Sequence, residues 1–149
     1  MRKALLAFFL LFSFNSYGAG AKIDIPKYDW SWKGFFGTYD RASAQRGLKV
    51  YREVCAGCHS MNYLAYRNLG DLGFSEDHIK AIAAEHLILD GPDDEGEMFE
   101  RDGIPSDQFA NPYPNVKAAR AANNGAYPPD LSLIVKARPK GADYVKALL

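Results

Sequence analysis

Five consecutive residues, Cys55-Ala56-Gly57-Cys58-His59, constrain this chain more than any other stretch. The pattern C-x-x-C-H is the attachment signature of a c-type haem. Each thiol adds across one of the two vinyl groups on the porphyrin edge. Two intervening residues in a helical turn set both sulfurs along that edge. His59 then falls under the macrocycle, where its imidazole can bind iron as the proximal ligand.

Other uses of two close cysteines make different demands. A zinc site needs two further ligands. The chain has no third cysteine, and His78 and His86 lie eight residues apart in another segment. A thioredoxin-like redox pair needs a βαβ setting, and no such pattern is visible. A plain disulfide between Cys55 and Cys58 remains open if the chain is exported.

The chain has 149 residues, enough for one domain with a real core. Its formal charge is zero, which leaves no basic footprint for nucleic-acid binding. Arg2 and Lys3 precede an apolar run from Ala4 to Phe14, and Ser16 to Ala21 supplies small residues for cleavage. We read residues 1–20 as a signal peptide and 21–149 as the haem domain. The apolar run is short for a transmembrane span, although an uncleaved anchor is the alternative. Without residues 1–20 the chain keeps 16 bases and 18 acids. No later apolar run reaches eighteen residues, so no transmembrane helix is expected in the remainder. Export suits covalent haem, which bacteria attach outside the cytoplasm.

Tyr28, Trp30, Trp32, Phe35, Phe36 and Tyr39 form an aromatic lead-in, expected to serve packing. Asp40 can cap a helix in which Leu48, Tyr51, Cys55 and Cys58 share one stripe. That stripe would turn both thiols toward the interior and make the haem part of the core. Gly70 looks like a stop. A second helix is expected from Ser75, carrying Ile79, Ile82, Ala83 and His86 on one side. It should run to Leu87-Ile88-Leu89 and break at Asp90-Gly91-Pro92. Residues 90–102 hold seven acids and one base. They make either a solvated loop or a surface that steers a basic partner. Further helices are expected over Val116–Ala122, ending at Asn123-Asn124-Gly125, then Asp130–Arg138 with Asp130 as cap, then from Asp143 to Leu149. The total is four to five helices with no strand alternation. That is a small all-α domain around one covalently bound prosthetic group.

Several segments extend the pattern beyond the pentad. They are RASAQRGLKVYREVCAGCHS (41–60), AYRNL (65–69), DGPDDEGEMFER (90–101), NPYPN (111–115), RAANNGAYPPDLSLIVKAR (120–138) and GADYV (141–145). In these the chain resembles the cytochrome c1 family, the haem subunit of the quinol–cytochrome c oxidoreductase (bc1) complex. The resemblance implies haem c thioethers at Cys55 and Cys58 and iron ligation by His59. It implies that Asn123, Ala126, Pro128, Pro129 and Ile134 line the pocket. Arg138 would pair with a haem propionate, Tyr144 would lie close to the ring, and Leu148 and Leu149 would add apolar cover. On the residues alone, Arg138 reads as a solvated base at a helix end.

The family takes its sixth iron ligand from a methionine downstream of GADYV, followed by a membrane helix. The sequence stops at Leu149, before either, and is expected to be the N-terminal part of a longer gene. Met61 is tied to the wrong face of the ring, and Met98 sits in the acidic segment.

The implied role is that of an electron carrier, not an enzyme in its own right. It would work beside cytochrome b, accept electrons from the Rieske iron–sulfur protein and pass them to a cytochrome c. Docking would fall near Asp93, Asp94 and Glu95. The implied location is the periplasmic side of a bacterial inner membrane, held there through the complex or a C-terminal helix. A free periplasmic cytochrome c and an open-site haem protein are the rival readings.

Overall fold

A computed structural model of the chain describes residues 24–149. The expected signal peptide, residues 1–20, lies outside the described residues. Five α-helices occur among the described residues: α1 (Arg41–Glu53), α2 (Glu76–Ala84), α3 (Val116–Ala122), α4 (Ile134–Ala137) and α5 (Ala142–Leu148). Two 3-10 segments, Cys55–Gly57 and Tyr66–Leu72, join them. No described helix is long and apolar enough to cross a membrane.

The all-α expectation needs correction. Strands β1 (Leu87–Asp90) and β2 (Phe99–Asp102) form an antiparallel pair, with Leu87 opposite Asp102 and Asp90 opposite Phe99. The expected second helix therefore ends at Ala84, and Leu87-Ile88-Leu89 is a strand. Arg101 explains why this pairing wins. Its guanidinium bonds the Asp90 carboxylate across the pair and forks onto Asp107 at 2.7 and 3.0 Å. These hydrogen bonds hold the Asp90 and Asp107 carboxyls below the usual carboxylate range. Gly103 then lets the chain pass α2: a Cβ there would stand 2.5 Å from the Ala83 carbonyl oxygen.

The helix starts follow their capping residues. Asp40 accepts from the Ala42 amide at the head of α1, and Ser75 accepts from the His78 amide at the head of α2. Glu76 and Asp77 sit in the first turn of α2, where carboxylates favour the helix dipole. The expected stop at Gly70 moves to Gly73, whose φ of 90° suits a residue without Cβ.

The core is small and lies between the second 3-10 segment and α2. Tyr66, Leu69, Ile79, Ile82, Ala83 and Phe109 are buried, with Leu48, Tyr51, Met61, Leu64, Leu72 and Phe74 packed around them. Tyr66 stacks on Phe109 with centroids 4.9 Å apart and on His86 at 5.8 Å. Phe109 is fixed there because its amide donates to the Leu64 carbonyl at 2.9 Å.

The aromatic lead-in packs differently from expectation. Trp30, Trp32 and Tyr39 stack on one another, with successive centroids 4.5 and 5.0 Å apart. Phe35 and Phe36 are 94% and 90% exposed. The lead-in is fastened to α5 by Asp143, which is buried. Its Oδ1 accepts from Trp30 Nε1 at 2.6 Å and from the Tyr28 amide at 3.3 Å. Lys146 Nζ lies 4.0 Å from the Tyr28 ring centroid, a cation–π contact. Asp143→Ala should release this joint and lower the melting temperature by on the order of 5 °C, followed by circular dichroism. A change in tryptophan emission at the same temperature would report separation of the lead-in.

Candidate haem site

α1 carries Tyr51 into the core but does not continue through the pentad. It stops at Glu53, and Cys55–Gly57 form a tighter 3-10 turn. The Cys55 carbonyl receives both the Cys58 amide at 3.1 Å and the His59 amide at 2.8 Å. The single stripe from Leu48 to Cys58 is therefore broken. Cys55 is half-buried and Cys58 is exposed, and both thiols are free rather than joined. Cys58 opens onto a hollow of about 140 Å³ lined by Tyr113, Val116, Ala119, Tyr127 and Pro128.

His59 is oriented by a residue seventy positions away. Its Nδ1 lies 2.8 Å from the Pro129 carbonyl oxygen. A carbonyl can only accept, so Nδ1 carries a proton and Nε2 is the nitrogen left to meet a metal. Nε2 has no hydrogen-bond partner among the described residues. Such a bond fixes the ring plane of a metal-binding histidine and raises its basicity. Two free thiols at this spacing and an imidazole held with Nε2 available fit a covalently attached haem. The chemistry of the donor set does not fit zinc: among the described residues no three His, Cys, Asp or Glu side chains converge as a metal site.

The sequence pattern makes Asp130 the cap of a helix from 130 to 138. In the structure Asp130 serves a different turn. Its Oδ1 accepts from the Ser132 amide, while its Oδ2 accepts from Ser60 Oγ and the Asn62 amide, each at 2.8 Å. The Asx turn keeps residues 130–133 irregular, so α4 starts only at Ile134. Burial opposes the charge, but the hydrogen bonds from Ser132, Asn62 and Ser60 outweigh it and hold the Asp130 carboxyl at about 2. Tyr51 approaches from the other side, its hydroxyl donating to the His59 carbonyl at 3.2 Å. Burial first, and the Asp130 charge second, push the Tyr51 phenol up to about 12, so it remains a donor.

The other expected pocket residues fall on the segment from α3 to α5. Asn123 is half-buried and donates to the Tyr113 hydroxyl at 3.1 Å and the Ala119 carbonyl at 2.7 Å. Ala126 is exposed, with its amide bonded to the Asn123 carbonyl at 2.9 Å. Pro128 is half-buried beside Cys58, and Ile134 is half-buried at the start of α4. Arg138 is exposed and has no carboxylate partner among the described residues; its guanidinium lies 6.0 Å from the Tyr144 ring centroid. Leu148 and Leu149 are exposed. Met61 packs against the core and Met98 is exposed in the hairpin. His78 is exposed on α2, while His86 stacks on Tyr66.

Sequence reasoning missed the Asp130 and Tyr51 contacts to the His59 segment. A D-x-S pattern after two prolines signals an Asx turn, but nothing in it says that Ser60 and Asn62 will be its partners.

A family model described as the Cytochrome C1 family matches residues 30–149. The chain belongs to the cytochrome c1 family. Cytochrome c1 of Rhodospirillum rubrum is 57% identical over 127 residues, covering 85% of this chain and 47% of that protein. The mitochondrial heme protein cytochrome c1-2 of Solanum tuberosum is 55% identical over 127 residues, covering 85% of this chain and 49% of its own length. The mitochondrial cytochrome b-c1 complex catalytic subunit of Candida albicans is 53% identical over 124 residues, covering 83% and 43%. The chain thus spans about half the length of the curated relatives it matches. The cytochrome c1 match includes both segments that meet at His59, residues 59–63 and 129–132.

Proposed function

We propose that this chain carries electrons through a haem c attached at Cys55 and Cys58, with His59 as the proximal iron ligand. The observation that carries this reading is the 2.8 Å contact from His59 Nδ1 to the Pro129 carbonyl, which leaves Nε2 available beside two free thiols. When bound, the haem supplies a one-electron ferric–ferrous couple. The chain's own residues hold the ring and limit solvent around it. Asn123, Ala126, Pro128, Pro129 and Ile134 line the pocket, and Arg138, unpaired among the described residues, meets a propionate. Tyr144 lies close to the ring, and Leu148 and Leu149 add apolar cover. No substrate bond is made or broken, so the subunit is a carrier and not an enzyme alone.

The reading places the chain in a bc1 complex with cytochrome b, receiving electrons from a Rieske iron–sulfur protein and passing them to a cytochrome c. The relatives, among them a cytochrome b-c1 complex subunit, support it over a freely diffusing cytochrome c. The same reading puts the chain on the periplasmic side of a bacterial inner membrane, supported by the charged and apolar sequence pattern of residues 1–20.

The acidic hairpin between β1 and β2 is proposed as the docking surface for the acceptor. Asp93 is partly occupied, since its Oδ1 accepts from the Glu95 and Glu97 amides at 3.0 and 2.9 Å. Asp94 and Glu95 are exposed. Stopped-flow mixing of the reduced, haem-loaded chain with oxidised cytochrome c tests the function. One electron should pass per chain. Asp93→Asn, Asp94→Asn and Glu95→Gln together keep the Asp93 turn acceptor, yet should slow association roughly tenfold at low ionic strength. The slope against salt should flatten as well. Unchanged rate and slope would leave the hairpin merely solvated, and no electron transfer at all would remove the carrier reading.

A further inference from the structure

The contact between His59 and Pro129 joins two segments that share no secondary structure, so something else must hold them in register. The hydrogen bonds around it identify what does. Asp130 Oδ2 takes Ser60 Oγ and the Asn62 amide, both at 2.8 Å. The Leu131 amide donates to the Ser60 carbonyl at 2.9 Å, and the Tyr63 amide donates to Ser132 Oγ at 3.0 Å. Ser60 is buried at 7% exposure, so its hydroxyl has little water to turn to instead. The carboxylate occupies the position after Pro129, and its partners begin at the position after His59. We propose that Asp130 is the positioning residue of the proximal histidine: it clasps the His59 segment so that the Pro129 carbonyl stays on His59 Nδ1.

This inference rests on His59 being the iron ligand. A partner on Nδ1–H is what fixes the tautomer, ring plane and basicity of a ligating histidine. Pro129 gives that bond through its backbone, so no side-chain change at 129 can tune it. Asp130 controls it at one remove. An ionised carboxylate can accept from Ser60, Asn62 and Ser132 together. An asparagine would present an amide nitrogen, a donor, to at least one of those donors. Tyr51 bonds only the His59 carbonyl, so it steadies the peptide and leaves the ring to Pro129.

The test uses the haem-loaded full chain with Asp130→Asn, Ser60→Ala and, as a stability control away from the clasp, Ile82→Val. Proton NMR of the reduced protein measures exchange of the His59 Nδ1 proton with solvent, and potentiometry measures the midpoint potential. Asp130→Asn should speed exchange about tenfold. The potential should rise, because a less basic imidazole stabilises ferric iron less. Ser60→Ala should move both in the same direction by less, and it supplies the answer if Asp130→Asn does not mature. Ile82→Val should move neither. Equal exchange in the clasp variants and the control would overturn the role of Asp130 while leaving His59 as ligand. Absence of ring-current-shifted His59 protons in the unaltered protein would instead remove the ligand assignment on which it rests.

Discussion

His59→Ala should leave a chain that still attaches haem through Cys55 and Cys58 but loses the spectrum of a histidine-ligated iron. The thioethers depend on the two thiols, whereas the iron bond depends on an imidazole held with Nε2 available. That hold is specific to position 59, where Nδ1 is engaged 2.8 Å from the Pro129 carbonyl. Neither of the other histidines can take over cheaply, since His86 is stacked on Tyr66 and His78 lies exposed on α2. Removing even the outer partner of a metal-bound histidine commonly costs about 10–100-fold in affinity or activity, so loss of the ligand itself should exceed that. The reduced absorption spectrum and carbon monoxide binding check it. The carbon monoxide adduct of the variant should absorb differently from that of the unaltered protein, because its iron lacks the imidazole. An unchanged reduced spectrum would assign the ligand elsewhere.

Phe109→Ala should be the most damaging substitution away from the haem. Phe109 is 6% exposed and stacks on Tyr66 in a core of six buried residues. Aromatic-to-alanine changes in cores cost about 3–5 kcal/mol, because contacts are lost and the cavity collapses only in part. Domains of this size are commonly stable by about 5–15 kcal/mol, so that cost is a large share. Urea unfolding should show a lower midpoint with a similar slope. Its effect should reach the haem side through Tyr51, whose ring centroid is 6.0 Å from that of Phe109 and whose hydroxyl bonds the His59 carbonyl. A midpoint within error of the unaltered protein would show that the core lies elsewhere.

The elements that were legible beforehand share a local cause. Asp40 and Ser75 cap the helices they precede, and the apolar spacing of Ile79, Ile82 and Ala83 marks a buried face correctly. The proposed chemistry of the pentad is likewise local, because it needs only five contiguous residues. What escaped depends on partners distant in the chain. Leu87-Ile88-Leu89 continues an apolar run after a helix, and only the pairing with Phe99–Asp102 and the Arg101 bond to Asp90 make it a strand. Phe109 sits in an irregular segment without periodicity, so nothing local marks it as core. Asp130 looks like any N-cap until Ser60 and Asn62 arrive from seventy residues earlier. Asp143 likewise reads as a first-turn acid of α5, although its partners are Trp30 and Tyr28.

The central claim is that the free thiols of Cys55 and Cys58 are the two attachment points of one haem. Intact mass measurement after denaturation and acid–acetone extraction tests it most directly. All 149 residues should be produced in a bacterium able to assemble c-type haem. The chain should retain the mass of one haem, Cys55→Ser and Cys58→Ser should each leave a single thioether, and the double variant should retain none. A chain that loses its haem to extraction, or a double variant that keeps it, would contradict the account.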